Sequence, residues 1–280
     1  MSDRTLVTKK PSAPKLATRH LLQQFGVHPK DRDAVSLDMR GTRALCIATN
    51  HGVLDIGIAT GVFGSELTVP YYVFLDAGMQ VDVASPLGGV IPVDPLSMKE
   101  MIRTPDDDRL LGDATFRGQL MNSLAIAEVD FASYDIIYFA GGWGAAFDLG
   151  QSDLLGRKVS EAWAAGRVVG GICHGPLGLL RARTPEGELL VKGRHLTAVT
   201  DKQVHEVGVE ITPLHPETEL RKAGALYESQ THPVKDFFAN HFVVDGNLIT
   251  GQNQNAGPMV ARLMMQRVLE QQTLKERRAS

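Results

Sequence analysis

Apolar runs and amphipathic stretches alternate along this chain from about residue 43 onward. Arg43 to Thr49 (RALCIAT) reads as a buried strand, with the loop Asn50-His51-Gly52 behind it. Gly61 to Ala77 has helical spacing, interrupted or kinked at Pro70, and Gly78 sits where a helix C-terminus needs a glycine. Val81 to Ala84 is a short strand that stops at Ser85-Pro86. Residues 86–114, rich in Gly, Pro and Asp, read as a long loop or small lid inserted into the domain. The spacing predicts a helix over 119–129, a strand over 134–140, a helix over 154–165 stopped by Gly166, and a strand over 167–172. A helix from Pro176 to Ala182, a strand over 195–199 and a short helix from Pro216 to Ala223 follow. Residues 242–250 read as a hairpin with Asp245-Gly246 in its turn, and 256–271 as a closing amphipathic helix.

Strands separated by helices pair in parallel, so the fold class is α/β: a doubly wound, mainly parallel sheet with helices on both faces. Ligands in such sheets sit beyond the carboxyl ends of the strands. Asn50-His51, Gly141-Gly142 and Cys173 each follow a strand, and all three are expected to face one cleft. The last is the most informative. Arg167 to Pro176 is an apolar run ending in Gly-x-Cys-x-Gly, the layout of a nucleophile elbow with sulfur as the nucleophile. Glycines on both sides tolerate a sharp turn, and backbone amides beyond it favour a thiolate. A structural cysteine needs neither flanking glycines nor the adjacent His174.

With 280 residues, 43% hydrophobic and 22% charged, the chain can bury a large core, and one domain with an insertion is expected. The division is an N-terminal extension over 1–40, a single domain over 41–272 with the insertion at 86–114, and a tail over 273–280. Residues 1–20 carry five basic side chains against Asp3, with Pro11 and Pro14, and read as a loosely docked or disordered tail. A formal charge of -3 argues against nucleic-acid or membrane-surface binding, and no apolar run is long enough to cross a bilayer. Two cysteines far apart in sequence, Cys46 and Cys173, fit a reducing compartment, and a cytoplasmic location is expected. The histidines form no zinc motif, and no metal or other cofactor is expected.

The stretch Ile172-Cys173-His174-Gly175-Pro176 resembles the signature of the ThiJ/PfpI superfamily, which has a class I glutamine amidotransferase-like fold. Phe139 to Asp148 (FAGGWGAAFD), Thr60 to Glu66 running into Pro70-Tyr71, Val81 to Pro86 and Leu248 to Asn253 resemble it too, so the likeness covers residues 42–270. The branch it is most similar to holds larger members described as glutathione-independent glyoxalases (glyoxalase III) and stress-related holding chaperones. The resemblance implies a flavodoxin-like sheet, a homodimer and no required cofactor. It further implies Cys173 as nucleophile, His174 as adjacent base or proton shuttle, Glu66 hydrogen-bonded to the sulfur, and the amides of Gly142 and His174 as an oxyanion site. Gly141, Trp143 and His51 would line the pocket.

Two positions depart from that pattern. Trp143 stands where the branch usually has a histidine, and an indole only donates. Val204 stands where an acid often orients the histidine, which leaves Glu206 as the candidate orienting acid. His215-Pro216-Glu217 resembles the His-x-Glu of class I glutamine amidotransferases, but it lies close to Cys173 in sequence and also makes a good helix start. A cysteine beside a base suits addition to a small reactive carbonyl, taking a 2-oxoaldehyde to a 2-hydroxy acid through a hemithioacetal. A carboxyl beside such a sulfur should hold its proton, so Glu66 is expected to have a raised pKa. A holding chaperone, a cysteine oxidation sensor and a cysteine peptidase or amidase stay open as alternatives.

Overall fold

The computed structural model describes residues 21–22, 28–29, 37–208, 211–231 and 235–279. Most of the expected 1–40 extension therefore lies outside the described residues. The strands are β1 (Arg43–Ile47), β2 (Gln80–Ser85), β3 (Leu124–Ala125), β4 (Ile136–Phe139), β5 (Val168–Ile172), β6 (His195–Leu196), β7 (Leu226–Tyr227), β8 (Phe242–Asp245) and β9 (Leu248–Gly251). Seven form one sheet in the order β3-β2-β1-β4-β5-β9-β8, and β6 and β7 pair separately. Every pairing in the large sheet is parallel except β8 with β9.

The central strands are buried on both faces, which is why they read as continuous apolar runs rather than alternating ones. Ala44 and Cys46 face one core with Ile172, against helices α1 (Gly64–Asp76) and, last in the chain, Gly257–Ala279. Leu45 and Ile47 face the other core with Ile137, Phe139 and Val169, against the helix Asp153–Ala164. From β1 the chain moves outward to β2 and β3, then returns to pair β4 on the other side of β1. That reversal opens a crevice beyond the carboxyl ends of β1 and β4.

Segment 86–114 holds α2 (Pro105–Gly112) and runs into α3 (Ala114–Met121). Its Asp-rich, Pro-containing sequence is helix-start chemistry. Thr104 and Asp107 form a capping box, Pro105 occupies the first turn and Asp106 to Asp108 are its acids. The expected helix over 119–129 is corrected: α3 ends at Met121, and Leu124–Ala125 then joins the sheet edge as β3. The expected strand over 195–199 shrinks to β6. Beyond it, Thr197 N–H donates to Thr250 Oγ1 at 2.8 Å and Val199 N–H to the Cys173 carbonyl at 3.0 Å, so this extended segment braces the elbow.

The remaining helices are α4 (Ala145–Asp148), α5 (Asp153–Ala164), α6 (Asp201–Glu206), α7 (Pro216–Lys222) and α8 (Gly257–Ala279). The helix expected from Pro176 is a 3-10 turn over Gly175–Leu179. The β8–β9 turn is Gly246-Asn247, with Gly246 at φ +60° and Asp245 still paired. The expected tail over 273–280 is helical through Ala279 as the end of α8.

Candidate active site

Cys173 is the one non-glycine among the described residues with positive φ, +56°. Such a backbone costs about 1–2 kcal/mol and persists only where its surroundings hold it. Here Cys173 N–H donates to the Gly251 carbonyl at 3.1 Å, and its own carbonyl accepts from Val199. Phe139, at the end of β4, packs into a slot made by glycines of the elbow. A Cβ on Gly171 or Gly175 would lie 2.3 Å from the Phe139 carbonyl oxygen, and one on Gly178 would lie 2.7 Å from its ring. The glycine-rich elbow therefore serves close approach of β4 and β5 as much as the turn itself.

The Cys173 residue is 9% exposed. Burial pushes its thiol pKa well above the usual range, and the Glu66 carboxyl pushes it further. The backbone N–H groups of Gly142 and His174 act the other way, hydrogen-bonding to the sulfur and favouring the thiolate. His174 Nδ1 lies 3.4 Å from Sγ. The other cysteine, Cys46, is fully buried in β1, and burial raises its thiol as well.

Glu66 sits in the first turn of α1 and is 1% exposed. Its carboxyl lies beside the Cys173 thiol and the Gly141 amide, both of which pull its pKa down, while its Oε2 has no hydrogen-bond partner among the described residues. A Cβ on Gly141 would come 2.5 Å from Glu66 Oε2, 2.7 Å from His174 N and 2.8 Å from the Cys173 Cβ. Only glycine leaves room for acid and sulfur to meet there. Burial raises the Glu66 pKa to about 8, against the pull of Cys173 and of the Gly141 amide. Glu66 is thus the neutral acid in most molecules at pH 7.

Helix α1 runs unbroken past Pro70, contrary to the expected interruption. Proline removes the N–H that would bond four residues back, and that orphaned carbonyl belongs to Glu66. Tyr138, fully buried on β4, donates its hydroxyl to the Glu66 carbonyl at 2.8 Å. Segment 86–114 supplies a second brace: Ser97 Oγ accepts from Gly64 N–H at 2.9 Å, and Asp107 Oδ1 accepts from Thr68 Oγ1 at 2.7 Å. Sequence reading placed Glu66 but missed Tyr138. The available signal was a helical proline four residues after a candidate catalytic acid. Tyr138→Phe is expected to lower stability by about 1–3 kcal/mol, because it strands a buried carbonyl. Denaturant unfolding checks this. Turnover should fall as well, since the Glu66 backbone loses its anchor.

His174 is 1% exposed, and its Nε2 has no hydrogen-bond partner among the described residues. Burial first, and then the charge of His215, push its pKa down to about 3. The imidazole is therefore neutral at any working pH. His215, which sequence spacing had set aside, lies near it because α7 packs on the 3-10 turn that follows His174. Glu206 does not orient His174. Its Oε2 accepts from Asp236 N–H at 2.9 Å and its Oε1 lies 3.6 Å from Lys202 Nζ. The α6 turn carries that acid toward Asp236, while the buried Val204 takes the inward position.

His51 stacks flat on Phe147, ring centroids 3.9 Å apart at 6°. Its carbonyl touches the 142–144 segment: a Cβ on Gly144 would lie 2.4 Å from that oxygen. Asp148 fixes this corner by accepting from Thr49 Oγ1 and Asn50 N–H, while Asp55 is exposed. The loops after β1, β4 and β5 thus meet in one crevice. Among the described residues no three His, Cys, Asp or Glu side chains are grouped to hold a metal ion.

The sequence pattern of the DJ-1/PfpI family matches residues 55–267. The chain belongs to the DJ-1/PfpI family. A relative in that family, Glutathione-independent glyoxalase hsp3101 of Schizosaccharomyces pombe, is 30% identical over 219 residues, covering 74% of this chain and 85% of the yeast protein. The solved structure of glyoxalase III (Orf 19.251) from Candida albicans aligns with a TM-score of 0.73 at 26% identity, over 81% of this chain and 97% of that one. Rapid Encystment Protein 24 KDa of Francisella tularensis aligns with a TM-score of 0.75 at 29% identity, over 81% and 99% of the two chains. The flavodoxin-like sheet described above is the fold these structures share with this family member.

Proposed function

We propose that this protein is a glutathione-independent glyoxalase, converting a 2-oxoaldehyde and water to a 2-hydroxy acid within a single unit spanning residues 41–272. The observation that carries the reading is the buried Cys173–Glu66 pair, with two backbone amides aimed at the sulfur. The names of the yeast relative and of the Candida structure agree with it.

The chemistry follows from what each group can do. The sulfur bonds to the aldehyde carbon while the thiol proton passes by way of Glu66 to the aldehyde oxygen, giving a hemithioacetal. The Gly142 and His174 amides stabilise the oxygen as charge develops on it. Glu66, as carboxylate, then takes the hydrogen on that carbon as a proton and returns it to the neighbouring carbon, while the hydroxyl proton of the first carbon passes to the former ketone oxygen. An acid with a pKa of about 8 is basic enough for this and still able to give the proton back. The product is a thioester of the 2-hydroxy acid. Water cleaves its C–S bond, releasing the acid and restoring the thiol. His174, held neutral, fixes the sulfur's position and contributes its amide.

The test is conversion of methylglyoxal by the purified protein with no thiol added, the lactate being resolved by enantiomer. A single enantiomer, formed well above the buffer rate, is expected. Its absence overturns the reading.

Exposed apolar residues favour the expected homodimer. Val53, Ile56, Ile58, Leu87 and Val90 are all more than half exposed, on two loops tied together by Asn50. A second copy covering this face would remove it from water. No helix among the described residues is long and apolar enough to cross a membrane, and both cysteines are free. A cytoplasmic location is proposed on the latter ground.

A further inference from the structure

Two partly exposed aromatic residues, Phe63 and Trp143, adjoin the backbone that carries the oxyanion amide. Gly142 donates one of the two N–H groups on the Cys173 sulfur, and Trp143 is the next residue. Gly144, one further on, is pressed against the His51 carbonyl and Thr49, with a would-be Cβ at 2.4 and 2.7 Å. Trp143 is therefore held between two fixed glycines and cannot swing its backbone away. It is partly exposed, and among the described residues its ring stacks on no other ring and carries no cation.

The backbone of Phe63, also partly exposed, adjoins the same glycines. Its N–H donates to the Gly141 carbonyl at 3.3 Å, and a Cβ on Gly142 would touch its nitrogen at 2.4 Å. One helical turn after Trp143, Phe147 holds the His51 ring flat against itself. A partly exposed indole that stacks on no ring among the described residues, one residue from the amide on a nucleophilic sulfur, is a surface for a planar apolar group.

We infer that Trp143 and Phe63 form a subsite for an aromatic ring carried on the ketone carbon of the substrate. For turnover this rests on the glyoxalase reading and names its substrate class: arylglyoxals over methylglyoxal. A methyl group covers little of either ring, whereas a phenyl group reaches both and stacks. Specificity resides in Trp143, with Phe63 as the opposing wall.

Two measurements test this. The first compares kcat/KM for phenylglyoxal and methylglyoxal without added thiol, in wild type, Trp143→Ala and Trp143→Phe. Wild type should prefer phenylglyoxal by about tenfold or more, mainly through KM. Trp143→Ala should bring the ratio close to one, and Trp143→Phe should keep most of it. The second needs no turnover. Cys173 is alkylated by 2-chloroacetophenone or by chloroacetone, and each rate is divided by that reagent's rate with a free thiol. In this step sulfur bonds to the methylene carbon, chloride leaves and the thiol proton goes to solvent. Peptide mass assigns the label to Cys173 rather than Cys46.

An aryl preference of about tenfold that falls in Trp143→Ala supports the subsite. A ratio near one in the alkylation overturns it, even if methylglyoxal is turned over. Aryl-selective alkylation without turnover of either aldehyde overturns the glyoxalase reading and leaves the subsite standing.

Discussion

Cys173→Ser is expected to lower glutathione-free turnover by about 10³-fold or more, because a hydroxyl at this site is far less nucleophilic than a thiol and an ester replaces the thioester. The fold should survive. Serine is close to cysteine in size, and the elbow is held by backbone hydrogen bonds to Gly251 and Val199 that do not involve the side chain. Urea unfolding of the variant should stay within about 1 kcal/mol of wild type. A variant with normal stability and normal turnover would remove Cys173 from the chemistry altogether. Cys173→Gly is a useful companion. It abolishes turnover too, but relieves the +56° backbone and should gain about 1 kcal/mol.

Glu66→Gln is expected to act in opposite directions on activity and stability. Turnover should fall by about 10²–10⁴-fold, since the amide accepts no proton. Stability near neutral pH should rise. The sign follows from the raised pKa: between the ordinary 4.5 and about 8, the folded protein holds a proton that the unfolded chain has lost. Folding is therefore most favourable below 4.5 as far as this group is concerned. It weakens as pH rises to about 8, by up to about 1.4 kcal/mol per pH unit. By pH 7 the loss approaches about 3 kcal/mol, and glutamine does not suffer it. Urea midpoints of both proteins at pH 5 and pH 7.5 measure the difference. A glutamine variant equally destabilised at both pH values would mean that the acid is ionised in the folded state.

The sequence shows the parts of this molecule whose physics is local or periodic. β1, β4 and β5 are buried on both faces, so their apolar runs are unmistakable, and the elbow announces itself through the glycines around Cys173. Glu66 was legible only through family resemblance, because nothing in a helical first turn says that its acid points inward. The tertiary partners were not legible. Tyr138 lies 72 residues from the Glu66 carbonyl that it satisfies, and no periodicity links them. The α2 helix hid in a segment of Pro and Asp that looks like a loop until its capping box is recognised. The two-residue strand β3 is too short to show any alternation, so the apolar residues after Met121 read as more helix. Glu206 misled because two residues along a helix turn a side chain by about 200°, to the face away from Val204, and Val204 is the buried one.

The central claim is that one buried proton-sharing pair, Cys173 with Glu66, carries the chemistry while His174 stays neutral. The most direct measurement is the pH dependence of kcat/KM for methylglyoxal, in wild type and in Glu66→Gln. The account predicts a wild-type rate that rises with pH as Glu66 ionises, levels off above about 8, and has no limb near 6.5. The residual activity of Glu66→Gln should lack the limb near 8. A wild-type limb near 6.5, or a limb near 8 that survives in Glu66→Gln, would contradict it by assigning the working base to another group.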